Sequence, residues 1–166
     1  MEYSGPYCYT LHLSGTEDNR VISKKIYAGQ ESKFKTPVTK KKTPKIYILT
    51  YKEQIVYIGY ASQSMGNRMG HGIRSNGKNG YHGYKWKQVS ELELSVFVFN
   101  QELKGNKHDD DKPYIEFAEA VEAELVYLVR QNTGKWPEFQ NEIHFNNKQQ
   151  VEAQRIAEEM YDKVAT

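Results

Sequence analysis

Short apolar runs, one of which (residues 7–13) alternates with polar positions, predict a sheet of short strands. Two of the predicted strands, residues 46–51 and 55–59, flank Lys52-Glu53-Gln54 closely enough to predict a tight hairpin. The candidate strands span residues 7–13, 21–27, 46–51, 55–59 and 92–99.

Helical periodicity marks three further segments. Ser64 to about Arg74 predicts a short helix, although its glycines weaken it. Residues 114–131 have the strongest helical period, and residues 146–163 are amphipathic. After an N-terminal β extension, the element order is β-β-α-β-α-α. We therefore predict a small α+β fold with a mainly antiparallel sheet flanked by helices.

Two polar segments separate these elements. Residues 28–44 are basic, contain the run Lys40-Lys41-Lys42 and predict an exposed arm or linker. Residues 75–87 interleave glycine, lysine and aromatic side chains and predict a surface loop. The expected organisation within one compact domain is an N-terminal extension and arm (1–44), a core (45–146) and a C-terminal helix (147–166).

Composition restricts the class of protein. A chain of 166 residues suits one hydrophobic core, and its single cysteine excludes an intrachain disulfide. The longest apolar runs are strand-length, whereas a spanning helix needs roughly 20 apolar residues. The N-terminus lacks the basic-then-apolar pattern of a secretory signal. We expect a cytoplasmic protein without a membrane partner.

Charge is distributed unevenly along the chain. Residues 20–87 contain fifteen Lys/Arg and two Asp/Glu, whereas residues 88–166 contain eight Lys/Arg and sixteen Asp/Glu. This asymmetry indicates that the first half faces a polyanion. The predicted nucleic-acid contacts are Lys40, Lys41, Lys42, Arg74, Lys78, Tyr84, Lys85, Trp86 and Lys87, with Tyr84 and Trp86 stacking on bases or packing on the backbone.

The predicted hairpin carries a pair of tripeptides. Lys45-Ile46-Tyr47 is followed after nine residues by Tyr57-Ile58-Gly59, and Arg68 comes eleven residues past Tyr57. His71 lies three residues further. This arrangement resembles the fingerprint of the GIY-YIG nucleases over about residues 45–146. Lys45 departs from it, because the family has glycine at that position, and Arg68 lies one residue further along than is common.

The resemblance also implies a glutamate on the following helix. Glu122-Ala123-Glu124-Leu125-Val126 fits the family's Glu-x-x-Leu-Ile pattern when it is read from Glu122. At about 100° per residue, Glu122 falls within the apolar sector of its helix, where a carboxylate needs a cation or hydrogen-bond donors. An edge residue bending out to water is the alternative for Glu122, and Glu124 is the competing candidate.

The family's asparagine has two candidates. Asn146 directly follows an aromatic residue, as the family's asparagine commonly does, and is preferred over Asn141. Either asparagine also suits a turn or a helix cap.

The resemblance implies a mechanism for phosphodiester hydrolysis. Tyr47 would be the general base towards water, with Tyr57 hydrogen-bonding nearby. Because a phenol has a pKa of about 10, neighbouring positive charge would have to lower it. Arg68 would bind the phosphate oxygens, and His71 would assist with a proton or contact the phosphate. Glu122 would hold one Mg²⁺ or Mn²⁺ that contacts the phosphate and the leaving 3′ oxygen. Tyr60 is a further candidate for the rim of the pocket.

These features predict a metal-dependent endonuclease acting on DNA, preferably double-stranded. A non-catalytic nucleic-acid-binding protein with the same fold is the first alternative, and a protein that binds an acidic partner is the second. Within the nucleases, RNA and branched DNA remain open as substrates. Restriction, homing, repair and phage defence all use such a module, and the absence of an appended DNA-binding pattern favours a stand-alone enzyme.

Overall fold

The computed structural model of the chain describes residues 1–16, 19–78, 80, 83–140 and 151–165. Within these residues, six β-strands form one antiparallel sheet and three α-helices pack against it, which confirms the predicted α+β fold. The strands are β1 (Tyr3–Ser14), β2 (Val21–Tyr27), β3 (Gln30–Glu31), β4 (Lys45–Tyr51), β5 (Gln54–Ala61) and β6 (Glu91–Phe99). The helices are α1 (Met65–Arg74), α2 (Lys112–Thr133) and α3 (Val151–Ala165).

The strands lie in the order β3-β2-β1-β6-β4-β5, and every neighbouring pair is antiparallel. The N-terminal strand β1 lies between β2 and β6, so the N-terminal extension is an integral part of the sheet. The predicted hairpin forms β4 and β5, and its turn has positive φ at both Lys52 and Glu53. Strand β5 is consequently an edge strand, with one row of backbone groups facing away from β4.

The sheet separates two hydrophobic clusters, because successive side chains of a strand point to opposite faces. Tyr47 and Tyr57 belong to the cluster on the α1 face, together with Met65 and Met69 of that helix. The next residue after each tyrosine, Ile48 or Ile58, belongs to the cluster under α2 and α3. The two tyrosines therefore share one face of the sheet.

Helix α1 forms despite its glycines because packing and capping compensate. Met65, Met69 and Ile73 are buried on one face, and the side chain of Ser64 accepts a hydrogen bond from the backbone N–H of Asn67. Helix α2 ends at Gly134, which has a φ of 76°. Among the described residues, no helix is both long and apolar enough to cross a membrane.

The segment 28–44 is not a free arm. Val38 is fully buried, and its carbonyl accepts a hydrogen bond of 3.1 Å from the backbone N–H of Met65. The backbone N–H of Lys35 donates to the hydroxyl of Tyr9. The expectation of an exposed arm is therefore wrong for the segment as a whole, although the side chains of Lys40, Lys41 and Lys42 are exposed.

The predicted loop 75–87 supplies core residues. Lys85–Gln88 forms a short 3-10 helix that buries Trp86, and the rings of Trp86 and Tyr84 stack with centroids 5.4 Å apart. The residues Trp86 and Tyr84 are 0% and 5% exposed, so the expectation that they stack on bases is wrong. Lys87 is also buried and donates to the Ser75 carbonyl, so it is not a surface contact. Burial of large aromatic rings outweighs the polar character of the segment.

Candidate functional site

Gly59 leaves room for the ring of Tyr47 to lie against the neighbouring strand of the hairpin. The two residues lie opposite each other on β4 and β5, and Tyr47 is fully buried. A Cβ atom at position 59 would lie 2.3 Å from Cζ of Tyr47, so a side chain there would displace the ring. The glycine of the second tripeptide is therefore required by the tyrosine of the first.

Arg68 connects α1 to the tyrosines. Its Nε donates a 3.0 Å hydrogen bond to the Tyr47 hydroxyl, and its guanidinium lies 5.4 Å from the centroid of the Tyr84 ring. Tyr57 packs between the two other rings, 5.8 Å from Tyr47 and 5.5 Å from Tyr84. The structure thus brings together Tyr47, Tyr57 and Arg68, three of the predicted site residues.

The pKa of Tyr47 is shifted in the direction opposite to that expected for a general base. Burial raises the pKa of Tyr47 well above its ordinary value, and proximity to Tyr57 adds to the rise. The charge of Arg68 acts to lower the pKa of Tyr47 but does not outweigh burial. The charge of Arg68 alone therefore does not lower the pKa of this phenol below its ordinary value, and the general-base role of Tyr47 stays a prediction.

Glu122 faces the sheet, as its helical position predicts. It is half-buried on α2, and its Oε1 accepts a 3.2 Å hydrogen bond from the backbone N–H of Tyr60 on the edge strand β5. This donor compensates part of the cost of burying the carboxylate.

Arg68 and Glu122 meet in a polar pocket beside β5. Arg68 comes from the helix on one face of the sheet and Glu122 from a helix on the other. Both residues line the pocket together with residues 60–63, which directly follow Tyr57-Ile58-Gly59. The pocket has a volume of about 380 Å³ and is lined by Tyr60, Ala61, Ser62, Gln63, Arg68, Glu119 and Glu122.

Glu119 is a pocket residue that the sequence pattern does not predict. Glu119 lies one helical turn before Glu122, and both carboxylates line the pocket. Its position outside the apolar sector suggested a solvating residue. The competing candidate Glu124 is not among the described residues that line this pocket. An i, i+3 pair of glutamates on α2 was the available signal for Glu119.

Tyr60 brings a protonated hydroxyl to the same pocket. Burial raises the pKa of Tyr60 to about 12, and the carboxylates of Glu119, Glu122 and Asp111 add to the rise, while a hydrogen bond with the Ser62 side chain opposes it. Tyr60, which the sequence predicts for the rim of the pocket, is one of the residues that line it. Its hydroxyl carries a proton at neutral pH.

The exposed edge of β5 is held by the segment after α2. The side-chain amide of Gln140 accepts from the backbone N–H of Ile58 at 3.0 Å and donates to the carbonyl of the same residue at 3.0 Å. The backbone N–H of Phe139 donates to the Val56 carbonyl. Together with the bond from Tyr60 to Glu122, these contacts pair the outer backbone groups of β5 with the segment that contains α2.

Lys45, the departure from the fingerprint, is fully buried. Its Nζ donates to the carbonyls of Lys40, Thr43 and Gln63 at 2.6, 2.8 and 3.1 Å. Burial lowers the pKa of Lys45 to about 8, and the charge of Lys40 adds to the effect. Because Gln63 lines the pocket, this lysine anchors one of its walls.

The other predicted site residues fall into two groups. His71 is exposed one turn beyond Arg68 and is not among the described residues lining the pocket. Arg74, Lys78 and Lys85 are exposed, as expected for phosphate contacts. Asn146 and its alternative Asn141 lie outside the described residues.

The donor chemistry of the pocket fits a hard divalent cation. Glu119 and Glu122 contribute carboxylates, and Ser62 and Gln63 contribute neutral oxygen-bearing side chains. Among the described residues, no group of three or more His, Cys, Asp or Glu side chains is arranged to hold a metal ion. Mg²⁺ needs only one or two protein carboxylates when water and substrate phosphate complete its shell.

Comparison with known proteins does not assign the chain to a family: no family model, curated protein or solved structure matches it. Membership of the GIY-YIG nucleases therefore stays a prediction from the tripeptides, Arg68 and Glu122.

Proposed function

We propose that this protein is a metal-dependent endonuclease that hydrolyses DNA phosphodiester bonds. One observation carries the proposal: Arg68 and Glu122, which come from helices on opposite faces of the sheet, line the same pocket. This pocket is also lined by residues 60–63, which directly follow Tyr57-Ile58-Gly59 in the sequence. A cation and a carboxylate in one polar pocket are the groups needed to bind a phosphodiester and a divalent ion. The exposed Arg74, Lys78 and Lys85 support a nucleic acid as the partner.

Arg68 would bind the non-bridging oxygens of the scissile phosphate. A guanidinium matches the geometry of a phosphate through paired N–H donors. Tyr47 uses its oxygen to accept from Nε of Arg68, and Tyr84 lies against the guanidinium, so both fix the direction of this side chain. In this mechanism Tyr47 is a positioning residue, in agreement with the high pKa that burial gives its hydroxyl.

In the proposed reaction, the carboxylates of the pocket would activate the water that attacks the phosphate. Glu119 and Glu122 are the carboxylates among the described lining residues, and a carboxylate can serve as a general base. Glu122, already oriented by the Tyr60 N–H, would hold the Mg²⁺ or Mn²⁺ ion, and Glu119 would accept the proton of the attacking water. The bound ion would supply positive charge against the developing charge on the phosphate.

The first test is cleavage of plasmid and genomic DNA in Mg²⁺ by the wild type and by Glu122→Gln. Glu124→Gln is the matched control, since it makes the same change two residues away outside the pocket. We expect nicking or linearisation by the wild type and by Glu124→Gln, with cleavage reduced at least about 100-fold in Glu122→Gln.

Three other outcomes discriminate between functions. DNA binding without cleavage by the wild type would favour the non-catalytic nucleic-acid-binding protein. Neither binding nor cleavage would favour a protein that contacts an acidic partner through its basic half. Cleavage of RNA or of branched DNA alone would keep the nuclease and change its substrate.

A further inference from the structure

The N-terminal part of the sheet carries an excess of positive charge outside the pocket. Residues 20–45 contain nine Lys/Arg and one Asp/Glu. Arg20 and Lys45 donate to backbone carbonyls within the fold, whereas the other lysines of this range are exposed or partly exposed. Such an excess suits a polyanion, and the positions of the lysines on the sheet decide which face would bind it.

Two of these lysines are held by crossed cation–π contacts. Nζ of Lys25 on β2 lies 5.2 Å from the centroid of the Phe34 ring. Nζ of Lys35 lies 5.7 Å from the centroid of the Tyr27 ring on β2. Both rings pack on Tyr9 of β1, at centroid distances of 5.0 and 4.7 Å, and the backbone N–H of Lys35 donates to the Tyr9 hydroxyl. Because an aromatic face attracts a cation, both ammonium groups are oriented before a ligand binds.

Lys25 lies on the same face of the sheet as α1. Directly opposite residues of paired strands project to one face, and Lys25 pairs with Leu11, which belongs to the hydrophobic cluster on the α1 face. The Phe34 ring also lies beside α1, because a Cβ atom added at Gly66 would be 3.9 Å from Cδ2 of Phe34. The two lysines therefore extend the face of the molecule that carries α1.

The acidic residues of these strands lie on the opposite face. Glu31 pairs with Ile26, the neighbour of Lys25 in β2, and so projects away from α1. Glu91 and Glu93 on β6 alternate with buried leucines of the cluster on the α1 face. Among the described residues, neither lysine of the cation–π contacts forms an ion pair. Their charges are therefore available to an external anion.

We propose that the α1 side of β2 and the segment 33–35 bind the phosphate backbone of a DNA duplex through Lys25 and Lys35. A duplex carries one negative charge per about 1.7 Å of its axis, so it offers phosphates well beyond the one that is cut. A duplex is favoured over an acidic protein because the same face carries α1 with the exposed Arg74. This inference rests on the nucleic-acid partner of the proposed function but does not require cleavage.

Binding of a fluorescent DNA duplex in EDTA, at salt concentrations between about 50 and 200 mM, tests this surface without cleavage. The test variant combines Lys25→Gln and Lys35→Gln. The control combines Lys24→Gln and Lys107→Gln, which also removes two exposed charges, and Lys24 projects to the other face of β2. A conservative variant, Lys25→Arg with Lys35→Arg, retains both charges and the ability to lie over the rings.

We expect the slope of log K against log[salt] to fall by about 1.8 in the test variant, because each lost phosphate contact lowers it by about 0.9. Affinity at about 100 mM salt should fall by about 10- to 100-fold. The arginine variant and the control should retain the wild-type slope. Lys35→Gln alone leaves β2 unchanged and should lower the slope by about 0.9, and urea unfolding of each variant checks that the fold is kept.

A wild-type slope in the test variant would overturn the proposal, and so would an equal loss in the control or an absence of DNA binding by the wild type. Poly-L-glutamate is the competing probe. If it binds as tightly as the duplex and is weakened equally in the test variant, the surface belongs to an acidic protein instead. Binding that depends on both lysines, without cleavage when Mg²⁺ is added, would remove the nuclease function and leave this surface supported.

Discussion

At the scale of single residues, the site depends on the missing side chain of Gly59 and on the burial of Tyr47. Gly59 leaves room for the ring of Tyr47, and Tyr47 in turn holds Arg68. The tripeptides and Arg68 were accessible from sequence because their spacing is local. The burial of Tyr47 was not, because it results from α1 and Tyr84 covering the sheet. Only the folded chain therefore reveals that burial raises the pKa of this phenol.

Gly59→Ala should destabilise the protein by about 1–3 kcal/mol, the usual cost of overpacking a core. The added methyl group would lie 2.3 Å from Cζ of Tyr47, and the displaced ring would release Arg68. We expect cleavage to fall with stability, as measured by urea denaturation and plasmid nicking. Gly66→Ala is the control: Gly66 lies in α1 with its nearest neighbour 3.9 Å away, so alanine should stabilise by about 0.5–1 kcal/mol. Equal effects of the two substitutions would contradict the close-contact argument.

Tyr47→Phe distinguishes positioning from proton abstraction. A phenylalanine ring fills the same space but removes the oxygen that accepts from Arg68 Nε. If Tyr47 only orients Arg68, cleavage should fall by about tenfold or less, whereas removal of a general base costs about 10²- to 10⁴-fold. Single-turnover cleavage at saturating enzyme gives the relevant rate. A loss beyond about 100-fold would restore the general-base role to this tyrosine.

At the scale of elements, the site is formed by residues of α1 and α2 beside the edge strand β5. The periodicities of β4, β5, β6 and α2 predicted their existence and nearly their bounds, because each depends on one repeating pattern. The covering of β5 by Gln140 and the burial of Trp86 depend on contacts distant in sequence. Sequence periodicity contains no information about such contacts.

Gln140→Ala should loosen the edge of β5. The amide of Gln140 pairs with both the N–H and the carbonyl of Ile58, and each hydrogen bond contributes about 0.5–1.5 kcal/mol. We expect faster hydrogen exchange at the Ile58 amide and a loss of about 1–3 kcal/mol of stability. Gln131→Ala, an exposed substitution on α2, should change neither. Unchanged exchange at Ile58 in Gln140→Ala would show that the edge is held by other contacts.

Lys45 should make stability depend on pH. Its pKa is lowered to about 8 in the folded protein, from an ordinary value of 10.5. Between these values the folded state has lost this proton while the unfolded state keeps it, so the free energy of unfolding rises with pH. We expect a gain of about 1 kcal/mol per pH unit from this residue between pH 8 and pH 9.5. Urea unfolding at both pH values measures it, and Lys45→Met should be less stable throughout but lack this gain. The same slope in both proteins would assign it to other groups.

At the scale of the whole molecule, charge is separated by layer. Residues 54–90, which include α1, contain five Lys/Arg and no Asp/Glu. The α2 and α3 segments together contain eight acidic and four basic residues and cover the other face of the sheet. The sequence predicted a polyanion-binding half. In the fold, the part of that half that contains α1 lies on the opposite face of the sheet from α2 and α3.

If DNA binds this basic face, neutralising its exposed cations should weaken binding in a salt-dependent way. The variant combining Arg74→Gln, Lys78→Gln and Lys85→Gln removes three exposed charges around α1. Each lost phosphate contact lowers the slope of log K against log[salt] by about 0.9, so the slope should fall by about 2–3. The control combines Lys107→Gln, Lys112→Gln and Lys135→Gln, three exposed lysines from the acidic half, and changes the net charge equally.

Each of these two triple variants removes three positive charges, so the comparison isolates the effect of where those charges lie. If DNA binds the face that contains α1, the α1 variant should lose much of its affinity and its slope of log K against log[salt] should fall. The control variant should then change little in both. Equal losses would mean that DNA responds to net charge alone. Fluorescence anisotropy with one duplex at four salt concentrations between about 50 and 200 mM covers the range in which such slopes are resolved. Retention of the full slope by the α1 variant would direct the search for phosphate contacts to the exposed Lys40, Lys41 and Lys42.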